Sequence, residues 1–312
     1  MLRIVFMGTP GFSVPPLLAL HQKYQILEVW TQPDRPVGRG KQILQTPVKQ
    51  KALELGLSVS QPEKASVPEA MGRVRQLRPD AIVVVAYGQI LKKEFIDIPR
   101  LGCINIHSSL LPRWRGAAPI QRAILAGDTK TGVTTMKIVP KLDAGDILLQ
   151  RATEIKDSDT GGTLHDRLSE MGAALIVETL DLLEKGQITP VLQDESGVTY
   201  AEKLTKDMEW LDCSNSVVEL SRQIRALDPW PGTSIRMEGG KRLKVRKIIL
   251  APSLQVPCGL LDAGRVGDME CLVLGAADGA LVLETVQAEG KKAVSGSDFL
   301  NGVRSRLPIK VE

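Results

Sequence analysis

The chain has 312 residues, 43% of them hydrophobic and 24% charged, with a formal net charge of +4. This is an ordinary globular balance, long enough for two domains and able to bury a proper core. The mild positive charge permits nucleic-acid binding without demanding it, and no apolar run approaches the ~20 residues that span a bilayer. Cys103, Cys213, Cys258 and Cys271 form no CxxC pair. Neither disulfides nor a zinc site are suggested, and the four read as buried or half-buried thiols of a reducing compartment.

Leu2 to Phe6 reads as a strand at the very start, without the apolar region or cleavage site of a signal peptide. A cytoplasmic protein with no membrane partner is expected. The first apolar run ends at Gly8. A helix follows from about Val14 to Gln22, with Pro15 and Pro16 in its first turn, where a missing N–H costs little. Ile26 to Thr31 forms a second strand. Asp80 to Ala86 is a β-branched run of the kind buried on both faces of a sheet. Cys103–His107 and Gly132–Ile138 read as further strands. Gly162–Glu184 reads as a helix, because Leu164, Leu168, Met171 and Leu175 recur at helical spacing. This alternation predicts an α/β fold in residues 1–190, with an open, Rossmann-like, mostly parallel sheet.

Residues 191–213 lack a pattern and read as a linker. The rest, 214–312, opens with a helix capped by Ser214 or Ser216 that carries Val217, Leu220, Ile224 and Leu227 on one face. Asp228-Pro229-Trp230-Pro231-Gly232 ends it. Short strands follow at Thr233–Met237, Leu243–Leu250, Cys271–Leu274 and Ala280–Val286. Turns are expected at Gly239-Gly240, Gly264, Gly267 and Asp278-Gly279. The pattern predicts a small C-terminal β-barrel, five-stranded and OB-like, with a last short helix holding Phe299 and Leu300.

Chemistry concentrates around one of the three histidines. Asn105 and His107 stand two apart at the end of a predicted strand, so both side chains leave the same face of the sheet. The carboxyl edge of an open α/β sheet is where sites form. A lone strand histidine is most often structural. The Asn partner, and the following loop with Arg113 and Arg115 around an exposed-looking Trp114, turn the reading towards function. Asp143, in Lys141-Leu142-Asp143-Ala144-Gly145-Asp146, stays open between two readings. It is either a solvated turn carboxylate or an acid that reaches His107 and fixes its tautomer. Asp146 reads as turn support. His21 and His165 read as structural or solvated, and no metal is expected. Gly8-Thr9-Pro10-Gly11 departs from a dinucleotide fingerprint and reads as a tight strand-to-helix turn.

Two stretches are basic. Arg35-Pro36-Val37-Gly38-Arg39-Gly40-Lys41 is a glycine-hinged loop with no acid before Lys51. In the β region, Arg242, Lys244 and Arg246 fall on one strand face, with Leu243, Val245 and Ile248 mostly opposite. From Thr205 onwards there are 15 basic and 14 acidic residues, so the domain has a basic side rather than a basic whole. Aromatic residues are scarce there, which favours backbone contact with a folded RNA over base stacking.

Several segments together resemble the methionyl-tRNA formyltransferase family: Met7-Gly8-Thr9-Pro10-Gly11-Phe12-Ser13-Val14-Pro15, Thr31-Gln32-Pro33-Asp34-Arg35-Pro36 with Gly38-Arg39-Gly40-Lys41, the Asn105–Gly116 block, Leu142–Asp146 and Asp228–Gly232. The resemblance runs in order along essentially the whole chain. It implies 10-formyltetrahydrofolate as formyl donor and initiator methionyl-tRNA as acceptor. Catalysis is implied for Asn105, His107 and Asp143. Ser109, Leu110, Leu111 and Pro112 would lie against the folate, with the backbone around Tyr87, Gly88, Gln89, Ile90 and Leu91 lining the pterin pocket. The loop with Arg35, Arg39 and Lys41 would take the acceptor end of the tRNA, and the barrel face with Arg242, Lys244 and Arg246 the inside of its L-shape. A monomer with no DNA partner is expected. The runner-up is a formyltransferase of the same superfamily acting on a nucleotide sugar or purine precursor.

Overall fold

The computed structural model describes residues 1–37 and 42–312. They gather into two units. One comprises Met1–Pro119, Lys130–Glu154 and Leu164–Ala201, the other Ile120–Thr129, Ile155–Thr163 and Glu202–Glu312.

The first unit is built on a seven-stranded sheet. Its strands are β1 (Arg3–Gly8), β2 (Gln25–Trp30), β3 (Val59–Ser60), β4 (Ala81–Val85), β5 (Cys103–His107), β6 (Lys130–Lys137) and β7 (Ile147–Glu154). Their order across the sheet is β7-β6-β5-β4-β1-β2-β3. β1 to β5 run parallel, β6 lies antiparallel beside β5, and β7 pairs antiparallel with β6 at the edge. The strand order reverses between β1 and β4, which opens a crevice at the carboxyl edge. All five residues of β4 are buried, as the unbroken β-branched run requires. β3 and β7 escape the sequence reading for physical reasons. β3 has two residues. β7 is the sheet's last strand and leaves Gln150, Arg151, Ala152 and Glu154 exposed or nearly so, so it carries no clean alternation.

The helix Gly161–Glu184 covers one face of this sheet, burying Leu164, Leu168, Leu175, Ile176 and Leu180. Gly172 costs helix stability of about 1 kcal/mol but permits a close approach: a Cβ there would lie 2.9 Å from Ile106 Cγ2. Ile106 therefore points at this helix. Asn105 and His107, its neighbours on the strand, point to the other face. The Gly8–Pro10 segment is a tight turn, as expected, with Ser13 Oγ donating to the Val85 carbonyl at 2.6 Å.

In the second unit, strands Thr233–Met237, Lys241–Ala251, Gly279–Ala288, Met269–Ala276 and Leu260–Val266 follow one another antiparallel. Ile309–Lys310 joins the last of them. The ring closes where Glu238 N–H donates to the Lys310 carbonyl and Glu312 N–H to the Arg236 carbonyl, each at 2.8 Å. Leu243, Val245, Leu261, Leu272, Leu274, Leu281, Leu283 and Val286 fill the interior. Gly264 is not a turn. It lies inside Leu260–Val266, where a Cβ would meet Val273 Cγ1 at 2.9 Å. Asp262, Gly264 and Arg265 dilute the strand signal, and that hid it. Cys258 is exposed rather than buried.

The helix Val217–Ala226 packs Val217, Leu220 and Ile224 into this core. Its N-terminus is closed by a capping box: Ser216 Oγ accepts from Glu219 N–H at 3.2 Å, and the Glu219 carboxylate accepts from Ser216 N–H at 2.9 Å. Ser216→Ala is expected to destabilise this unit by about 1 kcal/mol, and Ser216→Asp to recover most of the loss. Urea unfolding monitored by circular dichroism measures both.

Candidate active site

His107 ends β5 and is buried, opposite Thr134 on β6. Its Nε2 lies 2.8 Å from the Trp114 carbonyl. A carbonyl only accepts, so this nitrogen carries a proton. Nδ1 faces Asp143 Oδ2 at 3.7 Å. Asp143 thus stands beside the imidazole. Its Oδ2 also accepts from Gly116 N–H at 2.9 Å. Asn105, half-buried, makes no hydrogen bond through its side chain among the described residues. An amide donor therefore stands on the same strand face as the imidazole, ready for another acceptor. Asp146 supports the turn, its carbonyl accepting from Lys137 N–H at 2.9 Å.

The loop after β5 is tied to its neighbours by hydrogen bonds. Thr134 Oγ1 donates to the Ser109 carbonyl at 2.7 Å and accepts from Leu111 N–H at 3.2 Å. Gln150 Nε2 donates to the Leu111 carbonyl at 2.9 Å. Further on, Trp114 (φ 66°) and Gly116 (φ 121°) take left-handed backbone conformations. Arg115 N–H donates to the Thr199 carbonyl at 2.9 Å, and Arg115–Gly116 pairs in parallel with Tyr200–Ala201. One expectation needs correction. Trp114 is half-buried under the Arg113 guanidinium, 4.2 Å from the ring centroid. Arg115 is fully buried, its Nε donating to Gln193 Oε1 at 3.0 Å and its Nη2 to Glu195 Oε1 at 3.1 Å. Thr134, Gln150 and Gln193 have no motif around them that sequence reading could have used.

Of the residues expected against a folate, Ser109 is buried, with its hydroxyl donating to the Arg113 carbonyl at 2.6 Å. Leu111 is buried, while Leu110 and Pro112 are half-buried. In the other stretch, Tyr87 and Leu91 turn into the core. Burial pushes the Tyr87 hydroxyl well above its ordinary pKa. The Tyr87 carbonyl accepts from Thr9 Oγ1 at 3.1 Å and Gln32 Nε2 at 3.0 Å. Gln89 turns aside, accepting from Ala65 N–H at 2.7 Å. Gly88 and Ile90 are left exposed. Backbone and an apolar edge, not polar side chains, are what this stretch offers a ligand.

A cavity of about 600 Å³ lies elsewhere in the same unit, lined by Ser60, Gln61, Glu63, Lys64, Val67 and Arg73 among others. It includes none of the expected site residues. Close by, hydrogen bonds from Lys49 (2.5 Å) and Gln61 (2.8 Å) hold the Asp34 carboxyl below the usual carboxylate range.

Among the basic residues, Arg35 is exposed and pairs with Glu63 at 2.7 Å. Arg39 and Lys41 lie outside the described residues. Arg242 is half-buried, pairs with Glu209, donates to Ser234 Oγ at 3.0 Å and stands over Trp210. Arg246 is exposed and donates to Gln287 Oε1 at 2.6 Å. Lys244 is half-buried and lines a small hollow with Arg246, Asp228 and Thr233. The strand alternates as expected up to Val245. There the register shifts, and Arg246 and Lys247 both face outwards.

Residues 2–180 match the Formyl transferase family, and residues 203–304 match Formyl transferase, C-terminal domain. The chain is 47% identical over 309 residues to the methionyl-tRNA formyltransferase of Pseudomonas fluorescens Pf-5, covering 99% of this chain and 95% of that one. It is 48% identical to the methionyl-tRNA formyltransferase of Methylococcus capsulatus, with 96% of each chain covered. Among solved structures, the sugar 3N-formyl transferase WlaRD shares the fold with a TM-score of 0.67 at 19% identity, over 94% of this chain and 99% of that one.

Gly116 tests the geometry that holds Asp143. A Cβ there would lie 2.7 Å from the Ala201 carbonyl oxygen, on a backbone side chains rarely adopt. Gly116→Ala is expected to cost about 2 kcal/mol and to pull the Gly116 N–H away from Asp143. Thermal unfolding and turnover, measured together, should both fall.

Proposed function

This chain belongs to the methionyl-tRNA formyltransferase family, and from that membership we propose that it moves the formyl group of 10-formyltetrahydrofolate onto the α-amine of methionine on initiator tRNA. The observation that carries the chemistry is the Asn105 amide, unbonded among the described residues, on the strand face of His107, with Asp143 beside the imidazole.

Formyl transfer is acyl transfer. The amine attacks the formyl carbon, a tetrahedral oxyanion forms, and the folate nitrogen leaves with a proton. Asn105 is a neutral donor that stabilises an oxyanion without ionising. His107 moves the proton from the attacking amine to the leaving nitrogen. The Trp114 carbonyl holds its Nε2 proton in place, which leaves Nδ1, on the Asp143 side, for that exchange. Asp143 faces Nδ1 and accepts a hydrogen bond from the ring once that nitrogen carries the transferred proton. The exposed Gly88 and Ile90 offer an apolar, backbone-rich edge suited to a flat pterin.

We assign catalysis to the sheet unit and tRNA contact to two places: the loop with Arg35, Arg39 and Lys41, and the barrel face with Lys244 and Arg246, where Arg242 serves more as a brace for Trp210 and Glu209. Backbone contact by such cations is electrostatic and weakens with salt. Among the described residues no helix is long and apolar enough to cross a membrane. Acting on a charged tRNA, the enzyme works in the cytoplasm as a monomer.

The direct test is incubation with 10-formyltetrahydrofolate and methionine-charged initiator or elongator tRNA, followed by measurement of formylmethionine. Formylation of the initiator alone is expected. No product with either tRNA would reject the reading. Asn105→Ala is expected to lower kcat by about 100- to 1000-fold with KM for both substrates little changed. Arg39→Ala should weaken turnover of the full tRNA and leave folate binding intact. An equal loss with a minimal aminoacyl substrate lacking most of the tRNA would remove that assignment.

A further inference from the structure

We infer that Gln193 is a positioning residue for the reaction: its side-chain amide clamps the turn that presents Asp143 to His107. The inference rests on the formyl-transfer reading above.

Gln193 is only 9% exposed although it sits beside the exposed Leu192. Its segment is fixed to β7 by paired backbone bonds between Ile147 and Val191 at 2.8 and 2.9 Å. One side-chain nitrogen serves two carbonyls, Nε2 donating to Asp143 O at 2.9 Å and to Gly145 O at 2.7 Å. The side-chain oxygen accepts from Arg115 Nε at 3.0 Å. This orientation is forced. A flipped amide would set its oxygen against two carbonyl oxygens and its NH₂ against a guanidinium N–H.

The turn needs such a hold. Asp143 sits at φ 44°, in left-handed backbone that a non-glycine residue reaches only at a cost. Gly145 is wedged so tightly that a Cβ would fall 1.8 Å from the Lys137 carbonyl oxygen. The Gln193 amide spans both residues. Its anchor, Arg115, is fully buried, and the next residue, Gly116, donates its N–H to the Asp143 carboxylate. Residues 115 and 116 thus grip Asp143 twice: Gly116 at the carboxylate, Arg115 through Gln193 at the backbone. Without the amide, the carboxylate loses the backbone constraint that sets it against Nδ1 of His107. No other common side chain replaces it. Glutamate cannot donate to the two carbonyls, asparagine is a methylene shorter, and lysine cannot accept from Arg115.

The test uses the full chain and the initiator-tRNA assay. Gln193→Ala and the near-isosteric Gln193→Glu are compared with wild type, alone and combined with Asp143→Asn, by kcat, by KM for each substrate and by Tm. Each single variant is expected to lose about 10- to 100-fold in kcat with KM within about 2-fold of wild type. On the Asp143→Asn background the further loss should nearly vanish, because both changes remove the same function. A kcat within about 2-fold of wild type, or losses that multiply with Asp143→Asn, would overturn the clamp. So would a collapse of Tm in both variants, which would make Gln193 a folding residue only. If wild type itself forms no formylmethionine, the formyl-transfer reading falls and the clamp with it. An active wild type with an indifferent Gln193 removes the clamp alone.

Discussion

The pleat of β5 is the constraint from which the site follows. Ile106 faces the helix Gly161–Glu184, where the missing side chain of Gly172 leaves room for it. The two-residue period of a strand then sends Asn105 and His107 to the opposite face together. A slip of one residue would put the imidazole in the helix interface and Ile106 in the crevice. The register with β6, which sets His107 opposite Thr134, makes that slip costly. Thr134 in turn holds the loop that follows through the Ser109 carbonyl and the Leu111 N–H.

Around that strand the protein keeps backbone in unfavourable conformations and holds it there with polar contacts. Trp114 and Asp143 are left-handed without being glycine. Such residues persist when their surroundings over-determine them, and here the surroundings are a carbonyl on the His107 ring, an N–H on the Asp143 carboxylate and an amide on the Asp143 backbone. The buried Arg115 guanidinium supplies part of that frame. A buried charge costs several kcal/mol unless partnered. Gln193 and the exposed Glu195 are its partners, and Glu195 is shared with Lys141 at 3.1 Å. The arrangement favours preorganisation over stability, as expected where a few atoms must be placed for chemistry.

The barrel shows how little a count of charges says. Its long second strand is rich in cations, yet Arg242 is held by Glu209, Lys247 pairs with Glu284 at 3.0 Å, and Arg246 is drawn to Gln287. Acids brought in from other strands and from the segment before the helix temper the basic face. The potential this face presents is set by this three-dimensional pairing.

Much of the architecture was legible in the sequence because it rests on local periodicity. The β-branched run of β4, the strand ending in Asn105-Ile106-His107, the leucine spacing of the helix Gly161–Glu184 and the cap of the helix Val217–Ala226 each follow from neighbours a few residues apart. The same period placed Asn105 and His107 on one face. What sequence left open was joined across long separations. Asp143 meets His107 only because β6 and the turn after it return along β5. Arg115 and Gln193 are 78 positions apart, and Gln193 and Asp143 are 50. Neither end of such a contact carries a local mark, since a buried arginine and a surface arginine read alike in a loop. The edge strand β7 and the glycine-broken strand Leu260–Val266 were hidden for the related reason that their partners, not their own residues, make them strands. The sequence by itself determined the strand, its two outward side chains and the elements around them. Only the tertiary structure decided which acid stands behind the histidine and what holds it, because those choices are made by contacts between segments that the chain's own order keeps apart.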